Sequence, residues 1–111
     1  MERLNVLWTT NSVETVESFL ALYAGNSLKK GWWDEVHIII WGSSTKAIGE
    51  DPKMQELVKE MLNNGVTMEA CKHCSDRYNA SEILAKLGVE VKYMGEPLTK
   101  YIKSGANLIT L

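Results

Sequence analysis

A short apolar run over residues 36–41 is the feature that most constrains the fold, since His37 is the only polar residue in it. Such a run is typical of a central strand in a parallel sheet, where helices cover both faces. It is far shorter than the roughly 20 apolar residues that cross a bilayer. The run therefore predicts a buried strand over residues 35–41, with His37 as a hydrogen-bonded core or interface residue.

Strand-like and helix-like patterns alternate along the rest of the chain. Asn11 is predicted to cap the first helix, with Glu14 at the capping-box position, and Asp51-Pro52 opens another helix. The predicted strands cover residues 3–9, 35–41, 66–70, 89–94 and 107–111. The predicted helices cover residues 11–29, 51–63, 79–88 (from a second capping box at 79–82, closed by Gly88) and 97–104, with single turns at 45–48 and 75–78.

This alternation predicts an α/β fold with a mainly parallel five-stranded sheet and helices on both faces, flavodoxin-like in the broad sense. The 111 residues allow one core, so a single three-layer domain is expected. Ligands of such sheets bind outside the carboxyl ends of the strands. The residues there that we predict to bind substrate are Trp8, Asn11, Trp41, Ser43, Lys72 and His73.

The two tryptophans of this set, Trp8 and Trp41, end adjacent predicted strands. They are expected either to wall a dry pocket around a reactive group or to pack in the core. Trp32 and Trp33 lie in a connection between elements, where exposed paired aromatic side chains suggest a subunit interface.

The two cysteines, Cys71 and Cys74, are too few for a disulfide scaffold. The amino-terminal residues do not resemble a secretory signal, so a cytoplasmic location with reduced thiols is expected. Cys71 falls where a strand ends and a helical segment begins. The helix dipole there, with Lys72, His73 and Arg77 nearby, would favour the thiolate, which is the nucleophilic form.

Several other functions find little support in the sequence. A formal net charge of −2 gives no electrostatic signature of binding to nucleic acid or an anionic membrane. No glycine-rich dinucleotide or phosphate loop is present, and no cofactor is expected. A structural zinc site needs four ligands, whereas the chain offers one cysteine pair, so no metal is expected within one chain. The acidic residues lie mostly on predicted helix surfaces and form no paired-carboxylate site.

The segment over residues 66–77, VTMEACKHCSDR, resembles the cysteine segment of the DsrE/DsrF-like (YchN-like) family. The YchN-like pattern Cys-Lys-x-Cys-Ser/Thr-Asp is matched by Cys71, Lys72, Cys74, Ser75 and Asp76. The carboxyl-terminal residues 105–111 are similar as well. The resemblance implies one DsrE/DsrF-like domain over residues 1–111 that assembles into homotrimers, hexamers or heteromeric rings. It also implies, from some members, a persulfide carried at the position of Cys71.

Three functions follow from these observations. The first is a sulfur-relay protein, a possible sulfurtransferase-type carrier, in which Cys71 holds the sulfur, Cys74 supports it, and donor and acceptor proteins are the partners. The second is a dithiol/disulfide oxidoreductase that uses the same pair. The third is a non-catalytic oligomeric binding protein. A homo-oligomer is expected in any case, because Trp32, Trp33 and the apolar residues 108–111 are hard to cover within one small domain.

Overall fold

The backbone forms one five-stranded sheet in which all neighbouring strands are parallel. The computed structural model describes residues 1–111. The strands are β1 (Arg3–Trp8), β2 (Glu35–Ile40), β3 (Thr67–Cys71), β4 (Glu90–Lys92) and β5 (Asn107–Thr110). The helices are α1 (Val13–Thr15), a π-helical segment (Val16–Ala21), α2 (Leu22–Lys29), α3 (Ser43–Glu50), α4 (Pro52–Asn63), α5 (Lys72–Arg77), α6 (Ser81–Leu87) and α7 (Gly95–Lys103). The predicted α/β class and parallel sheet are confirmed.

The strand order, β4-β3-β2-β1-β5, determines which face of the sheet each helix covers. The chain steps from β1 through β2 and β3 to β4 in one direction, so right-handed crossovers place the intervening helices on one face. The last crossover returns to β5 at the opposite edge, which puts α7 on the other face. Helices therefore cover both faces, as predicted, but very unequally. The order differs from that of flavodoxin itself, 2-1-3-4-5, so the likeness to flavodoxin lies in the layering.

The larger core lies between the sheet and the helices that precede α7, and it contains 20 buried residues. Alternate strand residues point into it, as a period of two requires. Leu4, Val6 and Trp8 do so from β1, and Ile38 and Ile40 from β2. The run that predicted β2 is buried as expected, and none of the helices combines the length and apolar character needed to cross a membrane.

A smaller core lies on the opposite face, under α7. Its buried members are Ile39, Cys71, Cys74 and Met94. Partly buried side chains surround it, namely Leu7, Trp41, Tyr78, Leu98 and Tyr101. No residue of α7 is itself buried, so this face of the sheet is only thinly covered.

Both capping boxes are wrong. Ser12, not Asn11, caps the first helix, because its hydroxyl accepts a hydrogen bond from the backbone N–H of Thr15 at 3.1 Å. The box predicted at residues 79–82 does not form, because α6 begins at Ser81 with Ala80 as its N-cap, and Asn79 lies before the cap with φ 55°. The hydroxyl of Ser81 donates to the carboxylate of Asp76 at 2.6 Å.

The predicted turn at residues 45–48 is part of a longer helix, α3, which begins at Ser43. Gly42 precedes it with φ 74° and ψ −138°, a conformation that glycine adopts far more readily than other residues. The hydroxyl of Ser44 donates to the carbonyl of Trp8 at 2.7 Å. This contact ties α3 to the end of β1, and a local sequence pattern does not reveal it.

The predicted turn at residues 75–78 is likewise part of a helix, α5, which begins at Lys72 directly after Cys71. The remaining strands and helices agree with prediction to within two residues at each end. Gly88 ends α6 in the left-handed conformation with φ 102°, as predicted. Cys71 therefore lies at the junction of β3 and α5, where the sequence placed it.

The capping assignment can be tested by Ser12→Ala and Asn11→Ala variants. Loss of the Ser12 hydroxyl leaves the N–H of Thr15 without its partner, which should lower the free energy of unfolding by about 1 kcal/mol. Asn11 makes no capping bond, so its replacement should change stability by less than about half that amount. Urea unfolding measures both values, and a larger loss from Asn11→Ala would contradict the assignment.

Candidate functional site

Cys71 is the last residue of β3 and the N-cap of α5, at the carboxyl edge of the sheet. Its side chain points to the same face as Glu69, because strand side chains alternate. The thiol is free but only 4% exposed, and it makes no hydrogen bond to the first turn of α5. The predicted position is confirmed, whereas the expected capping of the sulfur by backbone N–H groups is absent.

Cys74 lies one helical turn further on, in the same buried cluster as Cys71. It is also free and is 8% exposed. Burial raises the pKa of the Cys74 thiol, which the backbone N–H of Gly42 opposes, while the contact with Cys71 raises it further. The charge of Arg77 has a smaller lowering effect. Cys74 is therefore held as the neutral thiol, beside Cys71.

The predicted basic neighbours of the pair are largely engaged elsewhere. The ammonium of Lys72 forms a 2.8 Å ion pair with Asp76 and lies 5.9 Å from the centre of the Tyr93 ring. The hydrogen bond to Asp76 raises the pKa of Lys72. His73 is exposed on α5. Neither residue contributes to the buried cluster of the two cysteines.

The two tryptophans take different places. Trp41 packs around the cluster that contains both cysteines. Trp8 is fully buried in the larger core on the other face, where its indole N–H donates to the carbonyl of Thr10 at 2.9 Å. Of the two expectations for Trp8, core packing is therefore the one found, because its place on β1 turns the side chain away from the cysteines.

Asn11 and Ser43 line a separate open groove of about 450 Å³. Lys46, Glu50 and Asp51 complete its polar lining, and neither cysteine reaches it. The hydroxyl of Ser43 donates to the carbonyl of Thr9 at 2.6 Å. The structure thus separates these two predicted residues from the cysteine pair, although all of them follow strands at the same edge.

A charged network lies on the cysteine face of the sheet, centred on the carboxylate of Glu69. His37 donates to it through Nε2 at 2.9 Å, Tyr101 through its hydroxyl at 3.1 Å and Lys92 through its ammonium at 2.7 Å. Since Nε2 donates to the carboxylate, the Nδ1 atom of neutral His37 accepts from the hydroxyl of Thr67 at 2.6 Å. His37 is thus a satisfied core histidine, as predicted.

The environment of the network shifts several pKa values. Burial alone would raise the pKa of Glu69, but the donors Lys92, His37 and Tyr101 together hold it below its usual range. Burial lowers the pKa of His37, which the bond to Glu69 opposes only in part. Burial and the Glu69 charge raise the pKa of Tyr101. Near neutral pH, therefore, an ionised Glu69 accepts from a neutral His37 and a protonated Tyr101.

Sequence reasoning missed Glu69, Lys92 and Tyr101. The available signal was Glu69 itself, a carboxylate in a buried strand two residues before Cys71 and hence on the same side of the sheet. Lys92 is the register partner of Cys71 on β4, which only the strand pairing reveals. No group of three or more His, Cys, Asp or Glu side chains is arranged to hold a metal ion.

Comparison with known proteins places the chain in a family. The sequence model of the DsrE/DsrF-like family matches residues 14–111. The chain belongs to the DsrE/DsrF-like family. The resemblance carried by the cysteine segment is therefore confirmed.

Two solved structures illustrate the DsrE-like fold. A conserved protein of unknown function from Bacteroides thetaiotaomicron shares 42% sequence identity and a TM-score of 0.96, over 99% of this chain and 95% of that one. The ychN protein from E. coli shares 17% identity and a TM-score of 0.66, over the full length of both chains, and shows the fold alone. A comparison with curated proteins finds no match.

The depressed pKa of His37 predicts a dependence of stability on pH. An unfolded histidine takes up a proton near pH 6.5, whereas buried His37 resists it, so the free energy of unfolding should fall as the pH is lowered from 7 towards 5. His37→Gln keeps a donor for Glu69 but removes the titration. Urea unfolding at a series of pH values should give a flatter slope for the variant, and equal slopes would contradict the assignment.

Proposed function

We propose that this protein carries a sulfane sulfur as a persulfide on Cys71, in a relay between a donor and an acceptor protein. The observation that carries the proposal is the pair of free, adjacent thiols at the carboxyl end of β3. Membership of the DsrE/DsrF-like family, which is associated with sulfur relay, supports it. The chemistry requires reduced thiols, which the cytoplasm maintains, so we place the relay there.

Loading is a transfer between sulfur atoms. The thiolate of Cys71 attacks the terminal sulfur of a donor persulfide, R–S–SH. The S–S bond of the donor breaks, its electron pair leaves with R–S⁻, and the new bond gives Cys71–S–SH. The thiolate of an acceptor protein then takes the terminal sulfur in the same way, which regenerates the Cys71 thiolate. No external oxidant or reductant is needed in either step.

Cys74 gives the carrier a second reaction. Its thiolate can attack the inner sulfur of Cys71–S–SH, which forms the Cys71–Cys74 disulfide and releases HS⁻. The raised pKa of Cys74 keeps most of it protonated, which slows this discharge at neutral pH. We propose that Cys74 supports the carrier by remaining a neutral neighbour until the sulfur is transferred.

The adjacency of the two thiols also favours a second function, dithiol/disulfide oxidoreduction. This reaction would cycle Cys71 and Cys74 between the free and bonded forms. It differs from the relay in that no sulfur atom is gained. A reduction potential of about −200 to −270 mV would place the pair among such enzymes.

The relay is tested by incubating the reduced protein with a persulfide donor and recording intact mass. The wild type and Cys74→Ser should gain about 32 Da, the mass of one sulfur atom on a thiol, whereas Cys71→Ser should gain none. Because the adduct is a persulfide, dithiothreitol should remove it. Mapping of the modified peptide assigns the cysteine.

Two outcomes would contradict the proposal of a relay through Cys71. An adduct that persists in Cys71→Ser would move the carrier to Cys74. A protein that takes up no sulfur, but whose Cys71–Cys74 pair has a reduction potential in the range of dithiol oxidoreductases, would favour the second function.

We also propose that the protein is a homo-oligomer, a trimer or hexamer, as the family resemblance implies. A surface formed by exposed Phe19, Leu22 and Trp32 around half-buried Tyr23, here called the aromatic patch, supports this. Trp32 is 54% exposed, and its ring centre lies 6.1 Å from that of Tyr23. Exposed contiguous aromatic side chains of this kind are typical of protein interfaces.

Light scattering at micromolar concentration tests the assembly. The wild type should have three or six times the chain mass of 12.5 kDa. Leu22→Glu places a charge in the aromatic patch and should reduce that mass, whereas Ala85→Glu places the same charge at an exposed position of α6 and should not. A monomeric wild type would contradict the proposal.

A further inference from the structure

Burial of Cys71 conflicts with any reaction at its sulfur. A donor persulfide or any other reagent must approach the sulfur directly, yet the residue is only 4% exposed. A segment that covers it must therefore move before the thiol can react. The identity of that segment follows from the contacts on the cysteine face of the sheet.

Several elements cover the cluster that contains Cys71, and Trp41 after β2 and Tyr78 after α5 pack against it as well as α7 does. Ile39 belongs to β2, in the middle of the sheet, and Cys74 to α5, which also buries Ser75. Met94 precedes α7, and Leu98 and Tyr101 lie on it. We call Met94 together with α7 the lid.

The helix of the lid is more weakly packed than the other helices of six or more residues, although Met94, which precedes it, is buried. No residue of α7 is buried, whereas every other helix of six or more residues buries at least one. Tyr101 supplies its one side-chain hydrogen bond to another element, to Glu69 at 3.1 Å. The guanidinium of Arg3 lies 5.5 Å from the centre of the Tyr101 ring and adds a weaker contact.

The acceptor of that hydrogen bond is fixed to the sheet. Glu69 is 7% exposed, and its carboxylate is held by His37 from β2 and Lys92 from β4. Tyr101 is the only one of its three donors that belongs to the lid. When the lid moves, the hydrogen bond of Tyr101 breaks while the other two remain.

We infer that the lid opens to admit a reactant to Cys71, and that the hydrogen bond from Tyr101 to Glu69 holds it closed. Tyr101 and Glu69 are then positioning residues that set how often the sulfur is accessible. The purpose of this opening rests on the proposed sulfur relay, but the opening itself does not. Local opening of weakly packed segments is a general property of folded domains.

Alkylation of Cys71 by iodoacetamide measures the opening, because the rate follows the population of the open form when closing is fast. Tyr101→Phe keeps the ring but removes a hydrogen bond to a charged group, so Cys71 should react about tenfold faster or more. Tyr93→Phe is the matched control, since Tyr93 is 68% exposed and its hydroxyl makes no hydrogen bond. In Tyr93→Phe, Cys71 should be alkylated at the wild-type rate. Peptide mapping separates Cys71 from Cys74.

Hydrogen exchange distinguishes lid opening from general destabilisation. In Tyr101→Phe the backbone amides of α7 should exchange faster, while those of β1, β2 and β3 keep their wild-type protection. Equal alkylation rates in Tyr101→Phe and the wild type would overturn the proposal. Faster alkylation of Cys71 accompanied by equally faster hydrogen exchange of the strand amides would overturn it too, because access would then come from global unfolding.

The two proposals fail in different ways. If Cys71 of the Tyr101→Phe variant is alkylated rapidly but takes no sulfur from a persulfide donor, the relay proposal is contradicted and the lid proposal is not. A protein that loads sulfur on Cys71, but shows no effect of Tyr101→Phe on alkylation, contradicts the lid alone.

Discussion

A parallel sheet must be covered on both faces. In this chain only one crossover supplies a helix to the second face. The steps from β1 to β4 all run in one direction, so their helices share a face. Only the return from β4 to β5 supplies a helix to the other side. The thin cover on that face, the charged network beneath it and the setting of the cysteines all depend on this arrangement.

The charged network lies on the thinly covered face of the sheet. A carboxylate in the middle of a sheet is costly unless donors satisfy it, and Glu69 has three. These donors come from β2, β4 and α7, so one side chain ties together three elements that are distant in sequence. Replacement of a single donor would leave the remaining charges less completely paired, which is why such clusters act as a unit.

The reactivity of the cysteines depends on the same face. Cys71 and its neighbour Ala70 point to opposite faces of the sheet, and Ala70 lies in the larger core. A cysteine one position earlier in β3 would therefore be buried under several helices. The actual position of Cys71 places it in the smaller core, on the face that α7 covers. Burial keeps Cys74 neutral and keeps the pair away from solvent, while the weakness of the cover leaves a route to the sulfur.

The sequence by itself determined the fold class, the order of the elements and the place of Cys71 at a strand end. Hydrophobic periodicity and the residues that begin or end helices are local signals, so they can be recognised without the tertiary structure. Only the tertiary structure decided which side chains meet. It put Trp8 and Trp41 on opposite faces, separated Asn11 and Ser43 from the cysteines, and joined Glu69 to Tyr101 across 32 positions of the chain. Strand order and register determine these contacts, and both are set by packing between segments far apart in sequence, which no local pattern records.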